Sequence, residues 1–177
     1  MSKTNSLHYE LCCLGAKFLK SRKNSEPFEL PNKYVVVELV TLTAENPDIW
    51  ATNGYHTTLV EVKTSHSDFI ADQKKWVRSS AAEQADKCLG NFRYYLCPEG
   101  VISLNEIPEN WGLLVYNGKK IVKVKNAKYT KSSTDAELLV LTSIMRRCGI
   151  KQQIFNFRQY DKNETFRIES RKLLNRL

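Results

Sequence analysis

The apolar and polar positions divide the chain into alternating helical and extended segments. From Ser6 to Arg22 the apolar residues Leu7, Leu11, Leu14, Phe18 and Leu19 recur at three- and four-residue spacing, which predicts an amphipathic helix with Glu10 beside its apolar stripe. The polar run 21–33 holds Pro27 and Pro31 and reads as a loop. Tyr34 to Leu42 is rich in β-branched residues and reads as a buried strand, with Glu38 as the odd carboxylate inside it. Asn53-Gly54 lies between β-prone stretches and predicts a tight hairpin, because both residue types accept the backbone angles such turns need. In the following strand, His56 to Thr64, alternation sets Leu59, Glu61 and Lys63 on one face and Thr58, Val60 and Val62 on the other.

Ser65 to Asp68 offers helix-capping residues, and Phe69, Asp72, Lys75 and Trp76 then follow helical spacing. The stretch 79–90 is ambiguous between helix and loop. Asn91 to Cys97 is a strand candidate, ended by Pro98-Glu99-Gly100. Between Trp111 and Lys125 two strands are joined by Asn117-Gly118, with Val122 and Val124 alternating with Lys123 and Lys125, so that one face of this hairpin is expected to be basic. Thr134 to Glu137 reads as a capping box, followed by an apolar helix that stops at Gly149. Residues 154–160 read as extended, and a short Arg-rich amphipathic helix follows from about Glu164. The order of elements indicates an α/β or α+β fold with a central mixed sheet flanked by helices. The expected organisation is a core over 1–128 and a basic helical appendage, 129–177, packed on it.

Composition narrows the class. The chain has 177 residues, 42% of them apolar, with only 7 Gly and 5 Pro, so it is neither disordered nor fibrous. No apolar run approaches the roughly eighteen residues a membrane helix requires. The N-terminal stretch is interrupted by Glu10, Gly15 and Lys17 and does not read as a secretory signal, so a cytoplasmic protein is expected. Five cysteines without a C-x-x-C pair speak against a disulfide framework or a zinc ribbon. The net charge of +8 is unevenly spread: residues 119–177 carry 15 basic and 5 acidic residues, and residues 1–118 carry 12 basic and 14 acidic ones. Clustered Lys and Arg release counterions from a phosphate backbone, so a polyanion is the expected partner, with a solubilising surface as the plainer alternative.

The constellation that can carry chemistry is Asp48, Glu61 and Lys63. Adjacent strands of a tight hairpin bring Asp48 and Glu61 to neighbouring positions, and Mg²⁺ prefers such hard oxygen ligands while keeping several waters. Lys63, two residues beyond Glu61, points to the same side, where an ammonium can orient an attacking water and balance developing phosphate charge. Glu-x-Lys occurs once, about as often as chance gives at this composition, and an exposed cross-strand ion pair would look the same. Context favours chemistry, because these charges interrupt an apolar strand where burial is costly. A Ser/His/Asp triad from Ser65, His66, Ser67 and Asp68 lacks a nucleophile elbow, no phosphate-binding glycine loop exists, and the adjacent Cys12 and Cys13 near His8 read as core thiols rather than a metal cluster.

Pro47-Asp48 followed across a hairpin by Glu61-Val62-Lys63 resembles the PD-(D/E)XK nuclease superfamily. The runs 61–76, 91–102 and 106–116 resemble its MmcB-like and phage-encoded members, in the expected order and within residues 6–125. The resemblance implies a restriction-endonuclease-like core in which Asp48 and Glu61, helped by the carbonyl of Val62, bind Mg²⁺ or Mn²⁺ and Lys63 assists the water. It also implies that Glu10 on the first helix stands beside the metal, that Lys74 or Lys75 contacts a phosphate, and that Asp68 caps the helix. The basic hairpin residues Lys119, Lys120, Lys123 and Lys125 are the further candidates for following a nucleic-acid backbone. The expected activity is hydrolysis of DNA in repair, recombination or phage DNA processing, with RNA as the other polyanion. The rival is a nucleic-acid-binding module that keeps the fold and cleaves nothing. A second copy of the chain, or a repair or replication protein, completes the list of expected partners.

Overall fold

The computed structural model describes residues 3–21, 31–79 and 86–149, with side chains from Leu7 onward. Helix α1 (Lys3–Lys20) is followed by β1 (Tyr34–Val37), β2 (Ile49–Thr52) and β3 (Thr57–Val62). Then come α2 (His66–Gln73), β4 (Phe92–Pro98), β5 (Trp111–Tyr116), β6 (Ile121–Lys125) and α3 (Thr134–Arg147). The six strands lie in the sheet in sequence order. Strands β3, β4 and β5 run parallel in the middle, while β1, β2 and β6 pair antiparallel toward the two edges. This is the mixed-sheet α+β fold that the element order indicates.

Each face of the sheet has its own layer. On one face α1 packs Leu11 and Cys12 against Ile49, Val60, Val62, Tyr94, Leu96 and Leu114. On the other, cross-strand register aligns Trp50 with Leu59 and Arg93, and Glu61 with Tyr95 and Leu113. The ring of Tyr95 meets Phe69 of α2 edge-on at 5.0 Å and stacks on Trp111 at 4.3 Å. The alternation along β3 therefore has the expected sense: its valines face α1, and Leu59, Glu61 and Lys63 face the α2 side.

Four expectations are corrected. The strand beginning at Tyr34 ends at Val37, not Leu42, and is half-buried to exposed. As the edge strand it has one neighbour, and Glu38 leaves the extended region with φ of +50°. In β6 the faces are reversed. Val122 and Val124 are 39% and 47% exposed, while Lys123 and Lys125 are half-buried. The Lys125 stem covers apolar surface, and its ammonium donates to the carbonyls of Ile107 at 3.2 Å and Pro108 at 2.8 Å.

At the start of α2, Ser65 is the cap: its Oγ accepts the N–H of Asp68, so Asp68 occupies the first turn and is not the cap. At the start of α3 the cap is Ser133, whose Oγ accepts the N–H of Ala136. The carboxylate of Glu137 does not close a capping box with Thr134. It is buried, accepting from Trp50 Nε1 at 2.7 Å, Thr57 Oγ1 at 2.7 Å and the Gly90 amide at 2.9 Å. Gly90 is required there: its φ is +80°, and an added Cβ would stand 2.7 Å from Cβ of Leu59.

Residues beyond Lys128 are tied to the segment that leads into β4 by hydrogen bonds from the Thr130 amide to the carbonyl of Asn91 and from the Ser133 amide to that of Cys88. The chain forms two compact units, Met1–Val140 and Leu141–Leu177. In the second, α3 ends at Arg147, and Gly149, with φ of +83°, donates its amide to the carbonyl of Arg146. The extended run 154–160 and the Arg-rich helix expected after Glu164 lie outside the described residues. No helix among the described residues is long and apolar enough to cross a membrane.

Candidate functional site

The Asn53-Gly54 turn fixes the β2–β3 register, and that register positions the candidate site. Ile49 pairs with Val60, so Asp48 stands at the end of β2 opposite the carboxyl end of β3. Its Oδ2 accepts the Val62 N–H at 2.7 Å and lies 3.4 Å from Nε2 of His8 on α1. Its Oδ1 takes no hydrogen bond among the described residues, and the side chain keeps 22% exposure.

Glu61 and Lys63 are buried together. Lys63 Nζ donates to Glu61 Oε2 at 3.0 Å and to Asp72 Oδ1 at 3.2 Å. The other oxygen of Glu61, Oε1, pairs with Arg78 Nη2 at 3.2 Å. Burial is the largest influence on Glu61 and pushes its carboxyl up to about 7; Lys63 pulls it down, and Asp48 and Asp72 push it further up. Burial also acts to lower the Lys63 ammonium, but Glu61, Asp72 and Asp48 outweigh it and hold the group above its ordinary value. Lys63 is therefore a fixed cation and hydrogen-bond donor, not a base.

A wider ion network surrounds this pair. Arg78 Nε donates to Asp72 Oδ2 at 2.8 Å, and its Nη1 pairs with Glu45. Arg93 Nη2 donates to both oxygens of Glu45, at 2.8 and 3.1 Å, and Tyr95 donates its hydroxyl proton to Asp72 at 3.0 Å. Both guanidinium groups sit over the Trp111 ring, at 4.9 Å for Arg78 and 4.5 Å for Arg93. Burial, and then the neighbouring Arg93, lower Arg78 to about 10. Charges withdrawn from water this far are stable only when partnered, and every carboxylate here has at least two cationic or hydroxyl partners.

The structure thus brings Asp48, Glu61, Val62 and Lys63 together and leaves other sequence-based candidates apart. Glu10 is exposed; it lies two residues and about 200° around α1 from His8, the helix residue that does meet Asp48. The expectation that Glu10 stands beside the metal is corrected accordingly. Val62 meets Asp48 through its amide, while its side chain is in the core. Lys74 is exposed at the end of α2, and Lys75 pairs with Asp72 at 2.7 Å while remaining 56% exposed. Lys119 and Lys120 are exposed at the tip of the β5–β6 turn, where their amides donate to Asn117 Oδ1. Lys123 and Lys125 are on the more buried face of β6 described above.

Sequence reasoning missed Glu45, Arg78 and Arg93, placed His8 only beside Cys12 and Cys13 and not at Asp48, and assigned Asp72 no role. Asp72 had a signal: it shares a helical stripe with Phe69, and a carboxylate in a buried stripe needs partners. Arg93 had a weaker one, alternating onto the face of Tyr95.

The donor set suits Mg²⁺ or Mn²⁺ in its chemistry: Asp48 offers an oxygen with no hydrogen bond among the described residues, and Glu61 is a second carboxylate beside it, its oxygens held by Lys63 and Arg78. No family model and no curated protein matches this chain. A solved structure of a protein of unknown function from Silicibacter pomeroyi is similar at 17% identity and a TM-score of 0.49, over 65% of this chain and 73% of that one.

Proposed function

We propose that this chain is a metal-dependent nuclease with a restriction-endonuclease-like core of the PD-(D/E)XK type, hydrolysing DNA phosphodiester bonds in repair, recombination or phage DNA processing. The observation that carries the reading is the register of the β2–β3 hairpin, which holds Asp48 on the Val62 amide beside Glu61 and Lys63. Asp48 and Glu61, with the carbonyl of Val62, would hold Mg²⁺ or Mn²⁺, which when bound polarises the scissile phosphate. Lys63, kept protonated by Glu61 and Asp72, orients the attacking water and offsets the negative charge that grows on the phosphate as the P–O bond to the departing sugar oxygen breaks. Asp72 and Arg78 act through these groups as positioning residues. The exposed Lys74, Lys119 and Lys120 are suited to contact the backbone of DNA, or of RNA if the substrate is that polyanion.

One observation favours a second reading, a nucleic-acid-binding module that cleaves nothing. Both oxygens of Glu61 are already engaged, one by Lys63 and one by Arg78, so this carboxylate has its counter-charges without a metal ion. The two readings separate in one experiment, in which single-stranded, double-stranded and branched DNA are incubated with the protein in Mg²⁺ or Mn²⁺, alongside Lys63→Ala. Cleavage by the wild type, with a variant that binds and does not cut, is the expected result. Binding without cleavage on every substrate would select the module, and neither binding nor cleavage would overturn both.

A further inference from the structure

On the α1 side of Asp48 lies a group of side chains with different chemistry. His8 Nδ1 is 3.7 Å from Cys12 Sγ, one helical turn on, and 3.6 Å from Glu38 Oε1, at the end of β1. One nitrogen, one sulfur and one oxygen from these residues lie within 4.8 Å of one another. Zinc bonds of about 2.0–2.3 Å at tetrahedral angles separate ligand atoms by about 3.4–3.6 Å, close to the two separations measured here. The second nitrogen of His8 faces Asp48 Oδ2 at 3.4 Å, the outer carboxylate that orients a metal-bound imidazole and fixes which nitrogen carries the proton.

We propose that His8 Nδ1, Cys12 Sγ and Glu38 form a metal site for a zinc-class cation, separate from the Asp48–Glu61 centre and joined to it only through the His8–Asp48 contact. A mixed nitrogen, sulfur and oxygen set selects a borderline ion over Mg²⁺, which prefers oxygen alone. Three protein ligands leave a fourth position for water. The His8 and Glu38 side chains are 28% and 49% exposed while Cys12 is fully buried, so an ion would reach the cluster from the His8 and Glu38 side. On binding, the Cys12 thiol releases its proton to solvent, and His8 coordinates as neutral imidazole while its Nε2–H donates to Asp48. The ion would clasp α1 to the end of β1 and hold the His8 ring in one orientation against Asp48. Without an ion, the arrangement that remains is the His8 ring between the Glu38 and Asp48 carboxylates.

The full-length chain, stripped with a chelator and titrated with Co²⁺, distinguishes these. The expected result is one equivalent that carries a thiolate-to-cobalt charge-transfer band and the intense visible bands of four-coordinate cobalt, displaced by Zn²⁺, whereas cobalt on the oxygen ligands of Asp48 and Glu61 would carry neither. Cys12→Ser should lose the charge-transfer band and Cys13→Ser keep it. His8→Ala and Glu38→Gln should each weaken Co²⁺ binding at least tenfold, and Asp48→Ala should weaken it by about 10–100-fold. Circular dichroism reports whether each variant folds, and if Cys12→Ser does not, the exposed Glu38→Gln decides. A wild-type spectrum showing only six-coordinate cobalt, a charge-transfer band surviving in Cys12→Ser, or unchanged affinity in Glu38→Gln would overturn the proposal. Because the readout is cobalt absorption, either outcome leaves the nuclease reading to its own test.

Discussion

Asp72 is the residue on which the buried charges converge. Its two oxygens serve Lys63, Lys75, Arg78 and the Tyr95 hydroxyl, and its side chain is 1% exposed. Replacing it with Ala would leave buried cations without a counter-charge, so Asp72→Ala should lower stability by about 3–5 kcal/mol in urea denaturation. A loss below about 1 kcal/mol would mean that water already reaches this network. Glu61 makes a different prediction, about pH. Its folded-state value of about 7 lies above its ordinary value of 4.5, so between these pH values the folded chain holds a proton that the unfolded chain has released. Stability from this group is therefore highest below about pH 4.5 and declines as pH rises to about 7. In the presence of chelator, wild type should lose up to about 3 kcal/mol relative to Glu61→Gln between pH 5 and pH 8. Parallel stability curves would show that Glu61 is ionised throughout. Asp48, Glu61 and Lys63 were legible in the sequence because a turn and a two-residue alternation are local. Glu45 was not, because its partners Arg78 and Arg93 stand 33 and 48 residues away and nothing near Glu45 indicates burial.

At the scale of elements, Glu137 ties the start of α3 to the sheet. Glu137→Ala would strand two buried donors, from Trp50 and Gly90, at about 1–3 kcal/mol each, and leave the half-buried Thr57 hydroxyl only Asn91 as acceptor. The expected consequence is a fall in melting temperature of roughly 10 °C, and a shift of a degree or two would mean that the helix start is held by other contacts. Element types and their order followed from periodicity and the two Asn-Gly turns. What periodicity could not supply was the edge of the sheet. An apolar run such as Tyr34–Leu42 does not say how many neighbours it will have, so the strand was read too long and too buried. For the same reason the two faces of β6 were exchanged: with half of each face covered, lysine stems and valines compete for the same apolar surface. The Ser/Thr-x-x-Glu pattern at α3 looked like a local cap because the demand of Trp50 for an acceptor, 87 residues away, is invisible from Thr134.

Across the whole molecule, charge is the property most easily read from sequence, and its excess lies in residues 119–177. If that excess meets a nucleic-acid backbone, affinity should fall linearly with salt on logarithmic axes. Lys119→Ala and Lys120→Ala, at an exposed turn away from the buried network, should weaken binding about equally for all DNA sequences and reduce the salt slope by about 1 each. An unchanged slope would remove this hairpin tip from the interface. The central claim concerns Asp48, and single-turnover cleavage of an end-labelled DNA strand at saturating protein tests it most directly, comparing wild type with Asp48→Asn. Wild type should cut in Mg²⁺ and stop on chelation, and Asp48→Asn should bind as well and cut roughly a hundredfold more slowly or less. Equal rates for the two proteins, or a wild type that binds DNA and never cuts it, would contradict the account.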